Sequence, residues 1–398
     1  MRAVALGDVC QVTTGQSAPQ EASAFGSTGT PFVRAGSLER LCDGESEDSL
    51  ELVPAEQAAK YRLKTFPKDT VVFAKSGMSA KVGRVYRLRR DCHVVSHLAA
   101  ILPSNEVDPG YLHRWLQHSP PSRLIENDAY PSIKTSTLER IKIPLPALAK
   151  QRHVAAILDK ADALRGKRRE AIAKLDQLLH SVFLDMFGDP RVNPRGFPLR
   201  NLSDFYIDAN EGTRCGPFGS ALKRSDVTQS GVPLWNMDNI SNAGQMQLPF
   251  RAWVSEEKAR DLASYGVLDG DILISRAGTV GKMCVVRAGV EKSLITTNLI
   301  RLRLGPALVP EFFVGLMTHC KGRVGRLRTG PDGAFTHMST GVLDTLLYPH
   351  PPIDLQRSWV VRSAAIQTQK AQMSDHFDLM NKQFESMTER VFSGATLA

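Results

Sequence analysis

The chain has 398 residues, is 42% hydrophobic and 23% charged, and carries a net charge of +9. That length allows two or three domains with real cores, and the composition excludes a disordered or fibrous chain. No apolar run approaches the roughly 18 residues that span a bilayer, and the opening "MRAVALGDVC" is too short and too early charged for a secretory signal, so the chain reads as cytoplasmic. Cys10, Cys42, Cys92, Cys215, Cys284 and Cys320 show no CxxC pair and no histidine at ligand spacing. This predicts buried thiols, with neither a disulfide framework nor a metal centre. The basic excess makes nucleic acid a candidate partner. It is +2 over residues 1–142, +2 over 143–190, +5 over 191–347 and 0 over 348–398.

In chain order, the first segment predicts strands at Thr70–Ala74 and Val94–Leu102 and short helices at Glu56–Tyr61 and Tyr111–Gln117, bounded by Gly and Pro. "IPLPALAKQR" (Ile143–Arg152) follows, and its Pro-x-Pro forces extended backbone before an abrupt helix start. From Gln151 to Phe187 one helix would run about 55 Å at roughly 1.5 Å per residue, ending at Gly188. The second segment predicts strands at Asp271–Ser275, Cys284–Arg287 and Leu294–Leu304. "YPHPPIDLQR" (Tyr348–Arg357) then opens a second long helix, with Gly394 as its stop.

These elements repeat. Pro144, Pro146, Gln151 and Arg152 match Pro349, Pro351, Gln356 and Arg357 at an offset of 205. "DTVVFAKSG" (Asp69–Gly77) matches "GDILISRAG" (Gly270–Gly278) at 201, "SHLAAIL" (Ser96–Leu102) faces "TNLIRLR" (Thr297–Arg303), and Pro109 faces Pro310. A heptad seam appears in both helices. The first reads Val154, Leu158, Ala161, Arg165, Arg168, Ile172, Leu175, Leu179, Val182 and Met186; the second reads Trp359, Ser363, Ile366, Lys370, Met373, Phe377, Met380, Phe384, Met387 and Val391. Steps of four and three sustained over four heptads predict two long helices packed in coiled-coil fashion. Arg165 and Lys370 share a register, either fixing alignment and reaching a partner or snorkelling from an open seam. The fold class is α+β: two similar domains in tandem, 1–142 and 191–347, with long helices at 143–190 and 348–398.

The motifs of catalysis are missing. "DPRVNPRGF" (Asp189–Phe197) and "FGSTG" (Phe25–Gly29) do not make a methyltransferase tetrapeptide or cofactor loop, and "GTVGKM" (Gly278–Met283) has the wrong spacing for a phosphate loop. No paired carboxylates with a lysine suggest a nuclease, and His97 and His337 stand without a placed nucleophile. The expectation is a non-catalytic chain that needs no cofactor.

"IPLPALAKQRHVAAILDKADALRGKRREAIAKLDQLLHSVFLDMFGDP" (Ile143–Pro190) strongly resembles the central conserved region of the DNA specificity subunit of type I restriction-modification systems. The weaker C-terminal copy resembles that family's distal conserved region but lacks the basic cluster "RGKRRE" (Arg165–Glu170). The resemblance covers the whole chain in architecture. It implies two target-recognition domains separated by antiparallel spacer helices with pseudo-two-fold symmetry, each domain reading half of a bipartite, asymmetric site in double-stranded DNA. It further implies assembly with two methyltransferase subunits and, for cleavage, two ATP-dependent restriction subunits.

Three sets of loops are candidate DNA contacts. "GTRCGPFGSALKRSD" (Gly212–Asp226), with a Gly-Pro-Phe-Gly-Ser run resembling one common in the family, offers Arg214, Phe218, Ser220, Lys223 and Arg224. "SRAGTVGK" (Ser275–Lys282) offers Arg276, Thr279 and Lys282, and its longer counterpart "AKSGMSAKVGR" (Ala74–Arg84) offers Lys75, Ser76, Lys81 and Arg84 as a Gly-rich loop. Asn236 and Asn298 could pair with adenine, with Arg34 and His97 as counterparts, although such asparagines also form turns. "YPSIKTST" (Tyr130–Thr137) and "FTHMST" (Phe335–Thr340) add Lys134, Thr135, His337 and Thr340. Two other readings are a protein-binding scaffold organised by the rod and a fused methyltransferase, for which the chain is short and the tetrapeptide absent.

Overall fold

A computed structural model describes residues 2–241, 244–276, 280–287, 289, 292–319 and 338–393. The chain divides into two compact units, one of residues 1–170 with 374–398 and the other of residues 171–373. Each unit therefore takes one mixed segment and part of both long helices. Five helices carry the description: α1 (Met78–Val82), α2 (Pro109–His118), α3 (Leu148–Phe187), α4 (Pro310–His319) and α5 (Ile353–Phe392). Among the described residues, no helix is long and apolar enough to cross a membrane.

In the first unit the strands are β1 (Arg2–Ala5), β2 (Cys10–Thr14), β3 (Thr30–Val33), β4 (Leu52–Val53), β5 (Val71–Ala74), β6 (Val85–Arg87), β7 (His93–Val94), β8 (Leu98–Pro103) and β9 (Lys142–Leu145). An antiparallel sheet runs β2-β8-β5-β6, a smaller one runs β4-β3-β7 with β3 and β7 parallel, and β1 pairs with β9. The unbroken apolar run in β5 follows from burial of both sheet faces. Val71 and Phe73 pack with Tyr111, Leu112 and Trp115 of α2, whereas Val72 and Ala74 pack with Phe32 and Val33 of the smaller sheet.

The second unit repeats this plan with β10 (Leu199–Asn201), β11 (Thr213–Cys215), β12 (Val227–Thr228), β13 (Val232–Trp235), β14 (Trp253–Val254), β15 (Gly266–Val267), β16 (Ile272–Ser275), β17 (Met283–Val285), β18 (Ser293–Ile295), β19 (Leu299–Leu302) and β20 (Leu347–Pro349). Its sheets run β11-β19-β16-β17 and β12-β14-β13-β18-β15, with β13 and β18 parallel and β10 paired with β20. The register repeats as well: Val72 faces Ala100 in the first unit, and Leu273 faces Arg301, each 201 residues on, in the second.

The single strands expected at Val94–Leu102 and Leu294–Leu304 are each two strands. The chain leaves one sheet after Val94 or Ile295 and enters the other at Leu98 or Leu299. The intervening turns, Val95–His97 and Thr296–Asn298, are what allow one run to serve two sheets.

The helix α3 begins at Leu148, three residues before the expected start, and Gly188 (φ 71°) terminates it by donating its N–H to the Leu184 carbonyl at 2.8 Å. Gly394 lies outside the described residues. None of the twenty seam positions is exposed, and within each unit the two helices pair antiparallel. In the first unit, Val154, Ala155 and Leu158 share a core with Val391 and Phe392, and Arg165 donates to Asn381 Oδ1 (2.8 Å) while lying 4.3 Å over the Phe384 ring. In the second, Lys370 donates to Asp176 Oδ1 at 2.5 Å, and Phe183 and Phe187 pack on Trp359. Both polar register positions thus find partners on the opposite helix. Phe183 and Phe187, outside the heptad series, are more buried than Val182 and Met186, because here the helix also covers the second unit's core.

The Gln-Arg pair that opens each helix has a clear role. Gln151, 1% exposed, accepts the Asp108 N–H (2.8 Å) and donates to the carbonyls of Glu106 and Pro146 (both 2.9 Å). Gln356, 0% exposed, accepts the Val309 N–H (2.9 Å) and donates to the Pro351 carbonyl (2.9 Å). Each glutamine ties the first turn of a long helix to the loop entering α2 or α4. Gln356→Leu should leave a buried N–H and a carbonyl unpaired and cost about 3 kcal/mol, lowering the second unit's Tm by roughly 6–12 °C in scanning calorimetry. Gln151→Leu should do the same to the first unit.

Candidate nucleic-acid interface

In the first unit, three stretches separate in sequence meet beside the end of β5. The Lys75 N–H donates to the His97 carbonyl (2.9 Å), the Lys75 carbonyl accepts from Ile133 (2.8 Å), and the Gly77 N–H donates to Pro131 (3.0 Å). The Ser76 hydroxyl lies 2.9 Å from His97 Nδ1. His97 and Lys134 are exposed, Lys75 and Ser76 are half-buried, and Thr135 opens the short helix Thr135–Glu139. The stretch read as a long Gly-rich loop contains α1 instead. Gly77 (φ 77°) and Gly83 (φ 70°) bracket it, and a Cβ at Gly83 would sit 2.6 Å from the Ser122 hydroxyl.

The first unit's cations differ in their engagement. Arg34 pairs with Glu51 (2.6 Å) and lies 5.3 Å over Phe25 and 5.4 Å over Phe32; Lys81 pairs with Asp128 (2.8 Å), and Arg84 with Glu39. Among the described residues Lys75 and Lys134 form no ion pair.

In the second unit the strand end and the turn meet in the same way, with Pro217 on the third stretch. The Arg276 N–H donates to the Asn298 carbonyl (2.9 Å), Ser275 and Lys282 are cross-bonded through Ser275 N–H to the Lys282 carbonyl (2.8 Å) and Lys282 N–H to the Ser275 hydroxyl (2.9 Å), and Thr297 donates its hydroxyl to the Pro217 carbonyl (2.7 Å). The Arg276 guanidinium lies 4.8 Å from the centroid of Phe218, itself 55% exposed. Ser220, Lys223 and Arg224 are exposed, with Lys223 N–H held by Asp226 (2.7 Å). Thr340 begins the short helix Thr340–Asp344; Thr279 and His337 lie outside the described residues.

Two candidates have structural engagements. Arg214, on β11, pairs with Glu211 (3.0 Å) at the edge of a network in which Glu211 also binds Arg301 (2.5 Å) and Arg303 (3.1 Å), and Arg303 grips buried Asp271 through two hydrogen bonds of 2.8 Å. Asn236 accepts the Met237 N–H (2.9 Å) and takes part in a reciprocal cap with Asn239.

Sequence reasoning missed Gly15 and Gln16, the first unit's equivalents of Gly216 and Pro217. Gly15 donates to the Leu98 carbonyl (3.3 Å) and Gly216 to the Leu299 carbonyl (2.9 Å). A Cβ at either glycine would lie within 2.0 Å of a backbone oxygen, of Val94 or Thr296, so both positions demand glycine. The signal was the 201-residue offset, which aligns the two.

Burial pushes the thiols of Cys10, Cys92 and Cys284 up to about 12, so they remain protonated. Cys42 is exposed and Cys215 half-buried, contrary to expectation, and Cys320 lies outside the described residues. Among the described residues no cluster of His, Cys, Asp and Glu is placed to hold a metal.

These observations define a two-site α+β protein in which one scaffold presents two different loop clusters. Residues 1–174 match the family described as the type I restriction modification DNA specificity domain. The type I restriction enzyme MjaIX specificity subunit of Methanocaldococcus jannaschii is 30% identical over 138 residues, 35% of this chain and less than a third (30%) of that protein's length. A second specificity subunit from that organism, MjaX, is 23% identical over 358 residues, 85% of this chain and 80% of that one. The S subunit of M. genitalium has a similar fold, with a TM-score of 0.56 at 13% identity over 98% of this chain and 96% of the other. So does a chain solved in work on assembly and conformational transition of the type I R-M system, with a TM-score of 0.56, 18% identity and coverage of 99% and 98%. The chain is thus similar to type I restriction-modification specificity subunits, in sequence through residues 1–174 and in fold along nearly its whole length.

Both units hold a half-buried histidine that favours the neutral form. Desolvation, aided by Arg114, lowers His113 to about 4; desolvation, aided by His180, lowers His319 to about 4, where it stacks on Phe183 at 4.1 Å. Because the folded values lie below the unfolded value near 6.5, the unfolded chain takes up these protons first. Stability is therefore complete above about pH 6.5 and falls as pH drops toward 4. Unfolding curves across this range should show a shallower loss for His319→Phe than for the native chain.

Proposed function

We propose that this chain is the sequence-reading, non-catalytic subunit of a type I restriction-modification complex. Residues 1–142 and 191–347 act as target-recognition domains, each reading one half of a bipartite site in double-stranded DNA. The helical regions 143–190 and 348–398 set the spacing between the half-sites and dock two methyltransferase subunits and two ATP-dependent restriction subunits. A helix of 40 residues, about 60 Å at 1.5 Å per residue, is long enough to hold two readers more than one DNA turn of about 34 Å apart.

The observation that carries this reading is the repetition of one loop cluster with different side chains. Lys75 and His97 occupy the strand end and turn in the first unit where Arg276 and Asn298 occupy them in the second. A shared backbone frame with unlike side chains is what an asymmetric DNA site requires, since phosphate contacts position a protein and side chains at base edges specify the sequence.

The test is equilibrium binding of the purified complex with methyltransferase subunits to duplex DNA across a salt series. Affinity should fall steeply with salt, and Lys134→Ala, Lys223→Ala and Arg224→Ala should each reduce the log–log slope by about 0.9 for every phosphate left without its cation. Salt-independent binding, or slopes unmoved by all three, would favour a protein-binding scaffold.

A further inference from the structure

The two loop clusters differ most where Arg276 stands. Its N–H is fixed to the Asn298 carbonyl (2.9 Å), and its guanidinium is stacked 4.8 Å from the centroid of Phe218. Phe218 is anchored in turn: the preceding Pro217 carbonyl accepts the Thr297 hydroxyl (2.7 Å), and Gly216 is locked to Leu299 (2.9 Å). Among the described residues the Arg276 guanidinium has no carboxylate partner, and its buried Nη1 has no hydrogen bond. Other arginines of this unit, Arg214, Arg301 and Arg303, are all spent on Glu211 and Asp271. In the first unit the same strand end carries Lys75, and Gln16 and Ser17 stand where the second unit has Pro217 and Phe218.

An arginine backed by an aromatic face and free of carboxylates keeps its planar donor edge oriented and uncompensated. That geometry suits a planar, doubly accepting partner, and in duplex DNA the pair of acceptors on one base edge is guanine O6 and N7 in the major groove. Adenine and the pyrimidines present a donor or a single acceptor there. We infer that Arg276 reads a guanine in the half-site recognised by the second unit, with Phe218 as the residue that positions its guanidinium. The inference rests on the specificity-subunit reading above and adds to it the base class and the reading residue.

The experiment uses the complex with methyltransferase subunits and duplexes carrying its recognised site. Each guanine of the second unit's half-site is replaced in turn by 7-deazaguanine, which lacks N7, or by inosine, which keeps N7 and O6. One 7-deazaguanine should lower affinity about tenfold or more while inosine at the same place changes it less than twofold. Arg276→Gln should abolish that difference. Phe218→Leu should weaken the same discrimination without changing the unit's Tm, and Phe218→Tyr should restore it. The assignment is overturned if the half-site has no guanine on either strand, if Arg276→Gln discriminates as well as the native chain, or if it loses affinity equally for all sequences. Binding by the native complex with no sequence preference would instead overturn the specificity reading itself.

Discussion

Each unit depends on a buried glutamine at the start of a long helix. Gln151 and Gln356 are essentially inaccessible, and each satisfies backbone groups from two directions: the loop entering α2 or α4, and the Pro-x-Pro strand that precedes the helix. Buried backbone groups must be paired, so this single side chain fixes where the helix begins and which way it leaves its domain. The seam then continues what the glutamine starts. Mid-helix positions such as Ile172 and Phe377 are only half-buried, because two helices alone cannot enclose a core, and the fully buried residues cluster where each helix also covers a domain, at Leu158 and Phe392 or Phe183 and Trp359.

The repeat preserves backbone and lets chemistry diverge. Where Arg114 of α2 reaches Asp159 (2.8 Å) and Asp162 (3.0 Å) on α3, the equivalent Gly315 of α4 meets the Trp359 ring so closely that a Cβ would lie 2.0 Å from it. A cavity of about 850 Å³ lined by Trp359, His180 and His319 opens beside it. Ala100 and Thr70 of the first unit become Arg301 and Asp271 in the second, so an alanine and a threonine bonded to its own turn are exchanged for members of an ion-pair network. Such networks contribute less to net stability than to fixing geometry, and here the network ties together β16 and β19, the paired strands whose other end carries Arg276 and Asn298.

Periodicity made the helices and their seam legible, because seam residues must recur at steps of four and three whatever their identity. The doubled Pro-x-Pro and Gln-Arg made the repeat legible for a related reason: they are backbone devices, and backbone is what the two units share. The break at Val95–His97 was not legible, since Ser96 and His97 interrupt the apolar run for only two residues, which does not separate a bend within one strand from a crossing between two sheets. Nor was α1, five residues long and set by two glycines that read equally well as a loop. Single loop side chains were hardest: Arg214 and Arg276 look alike in sequence, and what separates them is that Glu211 pairs with Arg214, whereas among the described residues no carboxylate pairs with Arg276.

The two loop clusters are, on this reading, separate readers of one DNA site. The most direct test is sequencing-based mapping of methylated adenines in cells that express this chain with methyltransferase subunits of its system, compared with cells in which Gly212–Asp226 is replaced by a neutral linker. A bipartite motif is expected with the native chain, and the loss or relaxation of one half only with the replacement. An unchanged motif from an assembled complex would contradict the assignment of separate readers.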